Sequence, residues 1–386
     1  MKKPSAERVP RLSPRALELV NLAEALSHSS SRLEDHYWER LLQERLQRLL
    51  GDSKESLFNA ALERLHDKNI PAYEVLLDAL EVAASQVDLP DQNRQALLIA
   101  LPVLAWSRLQ VPAGPVTVEQ LQDVRSMLLE HILAPDVDLV MADFLFTPDQ
   151  LPRGYSATQK FAANLAKRLA VDTCLHINPK TLPESVTYPA DVRYLLAVVV
   201  VTSGGPLFRW QLGESNRETV DSQWQIEARE SFASLFRQTA FELLLPDAYF
   251  AAWRQADRHS RNFNLEACVA FLTTTLDVPA SDLLALIAPC YDQELVEYRV
   301  GFSLVGSPEV IQGAIWPLLG EEDEGVVDAI ISTLTQTGLS QIQTLSGRFG
   351  LEYCEDCQVP LFPAADGEFV HPGPPEHWAV DTPRLH

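Results

Sequence analysis

From residue 13 to about residue 135 the apolar positions recur with a helical period. Ser13 followed by Pro14 reads as an N-cap and first turn, and Leu19, Leu22, Ala23 and Leu26 then form one stripe. Ser31 with Glu34 has the spacing of a capping box. The helix it opens sets Trp38, Leu41, Leu42, Leu46 and Leu49 against a wet face of Glu39, Gln43, Glu44, Gln47 and Arg48. Further stripes run through Leu57, Ala61, Leu62 and Leu65, and through Tyr73, Leu76, Leu77, Leu80, Ala84 and Val87, punctuated by Pro71 and Pro90. Ala96–Trp106 is apolar on every side, which predicts a central buried helix. Thr117 and Gln120 cap a last helix through Leu121, Val124, Leu128 and Ile132. Residues 1–135 are therefore expected to form an all-α bundle or a short stack of helical hairpins.

Beyond Pro135 the period changes. Val137–Phe146 is rich in β-formers, Ser156–Leu169 is an amphipathic helix, Asp172–Ile177 is a short strand, and Tyr194–Thr202 is a buried strand. Ser203, Gly204, Gly205 and Pro206 turn the chain into a further strand at Leu207–Leu212, followed by a helix over Ser222–Thr239 and a strand at Phe241–Leu245. That order is ferredoxin-like with one added hairpin strand. Two or three helices are expected in Ala248–Ala288. Strands at Tyr298–Val305 and Val310–Leu318, a helix at Val326–Thr337 and an extended Ile342–Tyr353 then repeat the hairpin-helix-strand theme, with Trp210 and Trp316 in matching places. The chain thus reads as α+β, divided into 1–135, 136–247, 248–353 and a C-terminal piece, 354–386, that holds a Cys-rich turn and an irregular, proline-rich tail.

Charge narrows the partners. The net charge is −22, and it is concentrated after residue 135, where 16 Lys and Arg face 34 Asp and Glu. Such a surface repels phosphate backbones, so general nucleic-acid binding is not expected. No run approaches the ~18 to 20 apolar residues that span a bilayer, and Arg8, Pro10 and Arg11 occupy the place of a signal peptide's apolar stretch. Five scattered cysteines make no disulfide framework; Cys174, Cys268 and Cys290 read as small buried hydrophobes, and the usage fits a reducing cytoplasm.

The strongest chemical signal is Cys354-Glu355-Asp356-Cys357, with His371 and His377 downstream. Two cysteines three positions apart on a tight turn can bring both thiolates to one zinc ion, and the spacing to the histidines matches a two-Cys, two-His set. Pro372, Pro374 and Pro375 keep the histidines off a common helix face, so the context is not that of a helical zinc finger. A redox pair and two unligated thiols are the other readings, and if zinc binds, its role is structural.

Arg254, Arg258 and Arg261, with His259, form the one basic cluster of the acidic part; their i, i+4, i+7 spacing suits either a phosphate- or carboxylate-binding helix face or a solvated face. Glu321, Glu322, Asp323 and Glu324 lack the alternating spacing of a calcium loop. Glu34, Asp35, His36 and Glu39 read as a surface helix sooner than a metal site. Ser203-Gly204-Gly205 is not followed by the helix that a phosphate loop needs. Nucleophile elbow, metalloprotease, dinucleotide and Walker motifs are absent.

Taken together, Pro10–Ala23, Ser31–Leu42, Leu101–Pro115, Ala142–Tyr155 and Cys354–Glu368 resemble the domain of unknown function 2863 family of betaproteobacteria, over nearly the whole chain. The resemblance implies a bacterial cytoplasmic protein and brings no activity, cofactor or catalytic residue. In that family a small residue often follows the second cysteine, where this chain has Gln358. The expectation is a non-enzymatic binding or regulatory protein, with a protein partner or a second copy of itself. The alternatives are an enzyme or sensor holding a small anion at the Arg254–Arg261 face, and a protein with a structural zinc clip.

Overall fold

Four helices open the described chain, three of them started by a short polar side chain. The computed structural model describes residues 12–52, 55–89, 93–107, 110–170, 174–185, 190–213, 215–320 and 325–373. In α1 (Pro14–Ser27) the Ser13 hydroxyl accepts from the Ala16 N–H at 3.2 Å; Ser31 does the same for Glu34 at the start of α2 (Arg32–Gly51). α3 (Glu55–His66) follows, and Asn69 caps α4 (Ile70–Ser85). Leu19, Ala23, Leu42, Leu46, Phe58, Leu62, Leu76 and Leu80 pack into one core, as their helical spacing predicts.

The helical stretch ends at Ser85, earlier than residue 135. β1 (Gln86–Asp88) leads to β2 (Arg94–Trp106), so the run read as a central buried helix is a 13-residue strand. The physical reason is that helices cover both faces of its sheet. Ile99, Leu101, Val103 and Ala105 enter one core while Ala96, Leu98, Ala100 and Leu104 enter the other, which erases the polar alternation that marks a half-exposed strand. Pro102, badly suited to a helix interior, lies opposite Tyr194 in the ladder.

The remaining elements of this first unit are β3 (Gly114–Pro115), α5 (Val118–Met127), β4 (Asp138–Ala142), β5 (Phe144–Leu145), α6 (Tyr155–Ala166), β6 (Cys174–Leu175), β7 (Ala190–Thr202), α7 (Arg217–Glu227), α8 (Arg229–Ala233), β8 (Ala240–Leu243) and β9 (Asp247–Ala248). The sheet runs β1-β2-β7-β4-β6, with β8 and β9 also paired to β2. β4 and β6 are parallel; the other pairs are antiparallel. The hairpin strand expected at Leu207–Leu212 does not form. Both edges of β7 are already taken by β2 and β4, so the segment passes Ser203–Gly205 into a 3-10 turn at Arg209–Leu212. Trp210 and Trp316 consequently do not occupy equivalent positions.

α9 (Tyr249–Leu276) is a single 28-residue helix where two or three were expected, about 42 Å long at the usual rise. Tyr249, Ala252 and Ala256 pack on the first sheet; Leu265, Val269 and Leu272 pack on the second. The second sheet is a meander of β10 (Leu283–Asp292), β11 (Glu294–Leu304) and β12 (Gln312–Pro317). α10 (Val326–Gln336) then crosses to β13 (Gln341–Thr344), parallel to β10, and β14 (Phe349–Gly350) pairs farther along β10. The architecture is α+β throughout. Among the described residues no helix is long and apolar enough to cross a membrane.

The helical bundle is tied to the first sheet unit by a borrowed cap. The N-cap position of α6 is Gly154, with φ of 80°, so the helix has no capping side chain of its own. Glu55 of α3 supplies one: its carboxylate accepts from the Tyr155 N–H at 2.8 Å and from the Ser156 N–H at 3.3 Å. Glu55→Ala is expected to lower stability by about 1–2 kcal/mol, and Glu55→Gln to retain most of that. Urea midpoints check this; an unchanged midpoint for Glu55→Ala would refute the cap.

Candidate metal centre on the C-terminal strap

β11 alternates its side chains between two layers. Tyr298, Val300 and Phe302 enter the core beneath α9 and α10, whereas Arg299 and Gly301 face a strap that begins near Leu351. Gly301 stands opposite Gly313 of β12. A Cβ on Gly313 would lie 2.3 Å from the Phe362 ring, and one on Gly301 would lie 2.3 Å from the Pro363 carbonyl oxygen. The strap therefore rests directly on this glycine pair through β15 (Phe362–Pro363), which forms a small ribbon with β16 (Phe369–Val370). Phe362 packs with Val310 and Ala364.

Arg299 pins the strap from below. Its side chain is fully buried; Nε donates to the Glu297 carboxylate at 2.7 Å, and Nη1 donates to the carbonyls of Leu361, at 2.8 Å, and Glu352. The guanidinium also lies over the Tyr353 ring, 5.0 Å from its centre. Glu352 and Leu361 bracket the Cys-rich turn and bond to each other, the Leu361 N–H donating to the Glu352 carbonyl at 3.0 Å.

Between them the chain doubles back tightly. The Cys354 N–H donates to the Val359 carbonyl at 2.8 Å, and the Gln358 N–H to the Cys354 carbonyl at 2.9 Å. Gln358 takes a left-handed conformation, φ 59°, so this residue does what a glycine would do more cheaply. The backbone N–H groups of Cys357 and Asp356, and then the Cys357 thiol, hold the Cys354 thiol below its ordinary range. His371, just after β16, brings its Nε2 to 3.2 Å from the Cys357 sulfur. The donor atoms of Cys354, Cys357 and His371 all lie within 4.8 Å of one another. A tetrahedral zinc ion separates sulfur and nitrogen donors by about 3.5–3.8 Å, so the three residues fit that ion with small adjustments. No helix starts at Cys354, and the turn therefore lacks the helix dipole that drives a redox-active pair. His377 lies outside the described residues, as do Glu321–Glu324.

The basic cluster divides. Arg254, Arg258 and His259 are exposed and line an open depression of about 370 Å³ together with Arg217. Arg254 is paired with Glu81 and Arg217 with Asp247. Arg261 does not belong to this face: it is buried, donates to the Pro317 carbonyl at 3.2 Å and stacks over Trp316. The i, i+4, i+7 spacing did not reveal that the far end of α9 passes beneath the second sheet. His36 and Glu39 lie 3.7 Å apart on an open helix surface.

One constellation escaped the sequence reading. Cys174, taken for a buried hydrophobe, is half-buried and has its sulfur within 4.8 Å of donor atoms of Asp143 and His176. The alternation Cys174-x-His176 was the available signal; Asp143 is remote in sequence and joins it only through strand pairing. Cys290, by contrast, is buried as expected, whereas Cys268 is half-buried.

Comparison with known proteins gives one result. A family model described as a protein of unknown function (DUF2863) matches residues 4–385. No curated protein and no solved structure matches the chain.

Proposed function

Because the chain belongs to the DUF2863 family, whose description assigns no activity, we propose from its own residues that it is a non-enzymatic cytoplasmic binding or regulatory protein whose C-terminal strap is closed by a structural zinc ion. The observation that carries the metal reading is the convergence of two thiols and an imidazole on a turn whose amides already face the Cys354 sulfur. A fourth donor from His377 would complete a two-Cys, two-His set and leave no coordination position for a substrate. The ion would then act on the fold, by fixing residues 354–371 across the second sheet.

Metal analysis of protein purified without added zinc tests this. The Cys354→Ser, Cys357→Ser double variant should hold one equivalent less than the parent, and protease should cut its strap earlier. Equal zinc content in both would sink the proposal. Binding requires thiolates and a neutral imidazole, so zinc should be released as the pH falls.

A second reading has its own support. Three guanidinium groups and an imidazole around one depression suit a small phosphorylated or carboxylated ligand. Such a ligand would have to displace Glu81 or Asp247 from its arginine. Thermal shift with inorganic phosphate and phosphorylated metabolites decides it, since a ligand of the folded state raises the melting temperature.

A further inference from the structure

We propose that Asp143, Cys174 and His176 form a second metal centre, one that takes a divalent ion of the zinc class and keeps an open position toward a pocket. The site is independent of the strap and lies in the first sheet. β4 and β6 run parallel in the register Met141 to Cys174 and Ala142 to Leu175, which sets Asp143 beside His176 just past the paired residues. The Asp143 N–H continues the ladder by donating to the Leu175 carbonyl at 3.1 Å. Cys174 and His176 are two positions apart on an extended chain and so share a face.

The carboxylate is already oriented. One Asp143 oxygen accepts from the Ile177 N–H at 2.8 Å, and the other lies 2.5 Å from His176 Nδ1. A metal ion would replace the proton shared by this pair, with the ring nitrogen and the carboxylate oxygen both as donors. Sulfur, nitrogen and oxygen donors within 4.8 Å of one another select a borderline ion over magnesium or calcium, which want oxygen alone.

The pocket gives this centre a different character from the strap clip. The same three residues line a cavity of about 200 Å³ with Leu121, Gln122, Arg125 and Met141. Three protein donors facing such a space leave a fourth position for water or an exchangeable ligand. Arg125, which lines the cavity and donates to the Leu139 carbonyl, favours an anionic one.

The test uses full-length protein carrying Cys354→Ser and Cys357→Ser, which removes the strap thiols and so separates this site from the previous proposal. Titration with cobalt(II) should give a thiolate-to-metal charge-transfer band saturating at one equivalent, and azide should perturb the visible bands if a position is open. Adding Cys174→Ser should abolish the band, and His176→Ala, which removes a direct ligand, should weaken binding by more than the roughly 100-fold that loss of an outer-shell partner costs at most. Burial pushes the Cys268 thiol up to about 12 and the Cys290 thiol up to about 11, so alkylation in this background reports on Cys174. Bound metal should protect it. Absence of a cobalt band in folded protein, or alkylation equally fast with and without metal, overturns the proposal; fast alkylation would point instead to a reactive thiol with His176 as its base. Should the double variant fail to fold, Cys174→Ser in the parent must lower the cobalt content by one equivalent, and an unchanged content overturns the proposal as well.

Discussion

Arg299→Met is expected to destabilise the protein by about 3–5 kcal/mol and to release the strap. The guanidinium is fully buried and has three acceptors: the Glu297 carboxylate and the carbonyls of Glu352 and Leu361. Methionine fills similar space but leaves Glu297, itself mostly buried, without its counter-charge, and leaves two carbonyls short of a donor. Lysine keeps the charge and loses the fork, so Arg299→Lys should fall between the two. Urea unfolding reads the stability and limited proteolysis reads the strap. A midpoint for Arg299→Met equal to the parent's would show that the arginine is not the anchor.

Gly301→Ala should cost about 3 kcal/mol, at the upper end for overpacking, although the backbone there suits any residue. Its added methyl would stand 2.3 Å from the Pro363 carbonyl oxygen, a backbone atom that can retreat only if the strap lifts. At Gly313 the obstacle is the Phe362 ring, which has its own torsions, so Gly313→Ala should cost less. Both changes act on the segment that carries His371, and zinc affinity at the strap should fall with stability. If Gly301→Ala lost stability while zinc affinity stayed level, the seat of the strap and its metal clip would be uncoupled.

Much of the local structure was legible in the sequence. Ser13, Ser31 and Thr117 cap their helices where their spacing placed them, and the stripes of α1 to α4 pack as their period predicts. The Cys354–Cys357 pair was legible as a tight turn with His371 downstream as a further donor, and the structure places the His371 ring beside that turn. Misreadings arose where burial removed the pattern. β2 is apolar on both faces because it is covered on both, and β7 has no free edge for a hairpin partner.

What the sequence determined by itself was set within a few residues or by composition: caps, turns, helical stripes, the α+β class and the net charge of −22. Only the tertiary structure decided which residues far apart would meet. Asp143 reaches His176 through strand register, Glu55 caps a helix 100 positions downstream, and Arg261 leaves the basic face because its end of α9 lies under the second sheet. Local preferences are carried by bonds and periods within one segment. A site assembled across strands depends on edges, layers and packing that no single segment contains.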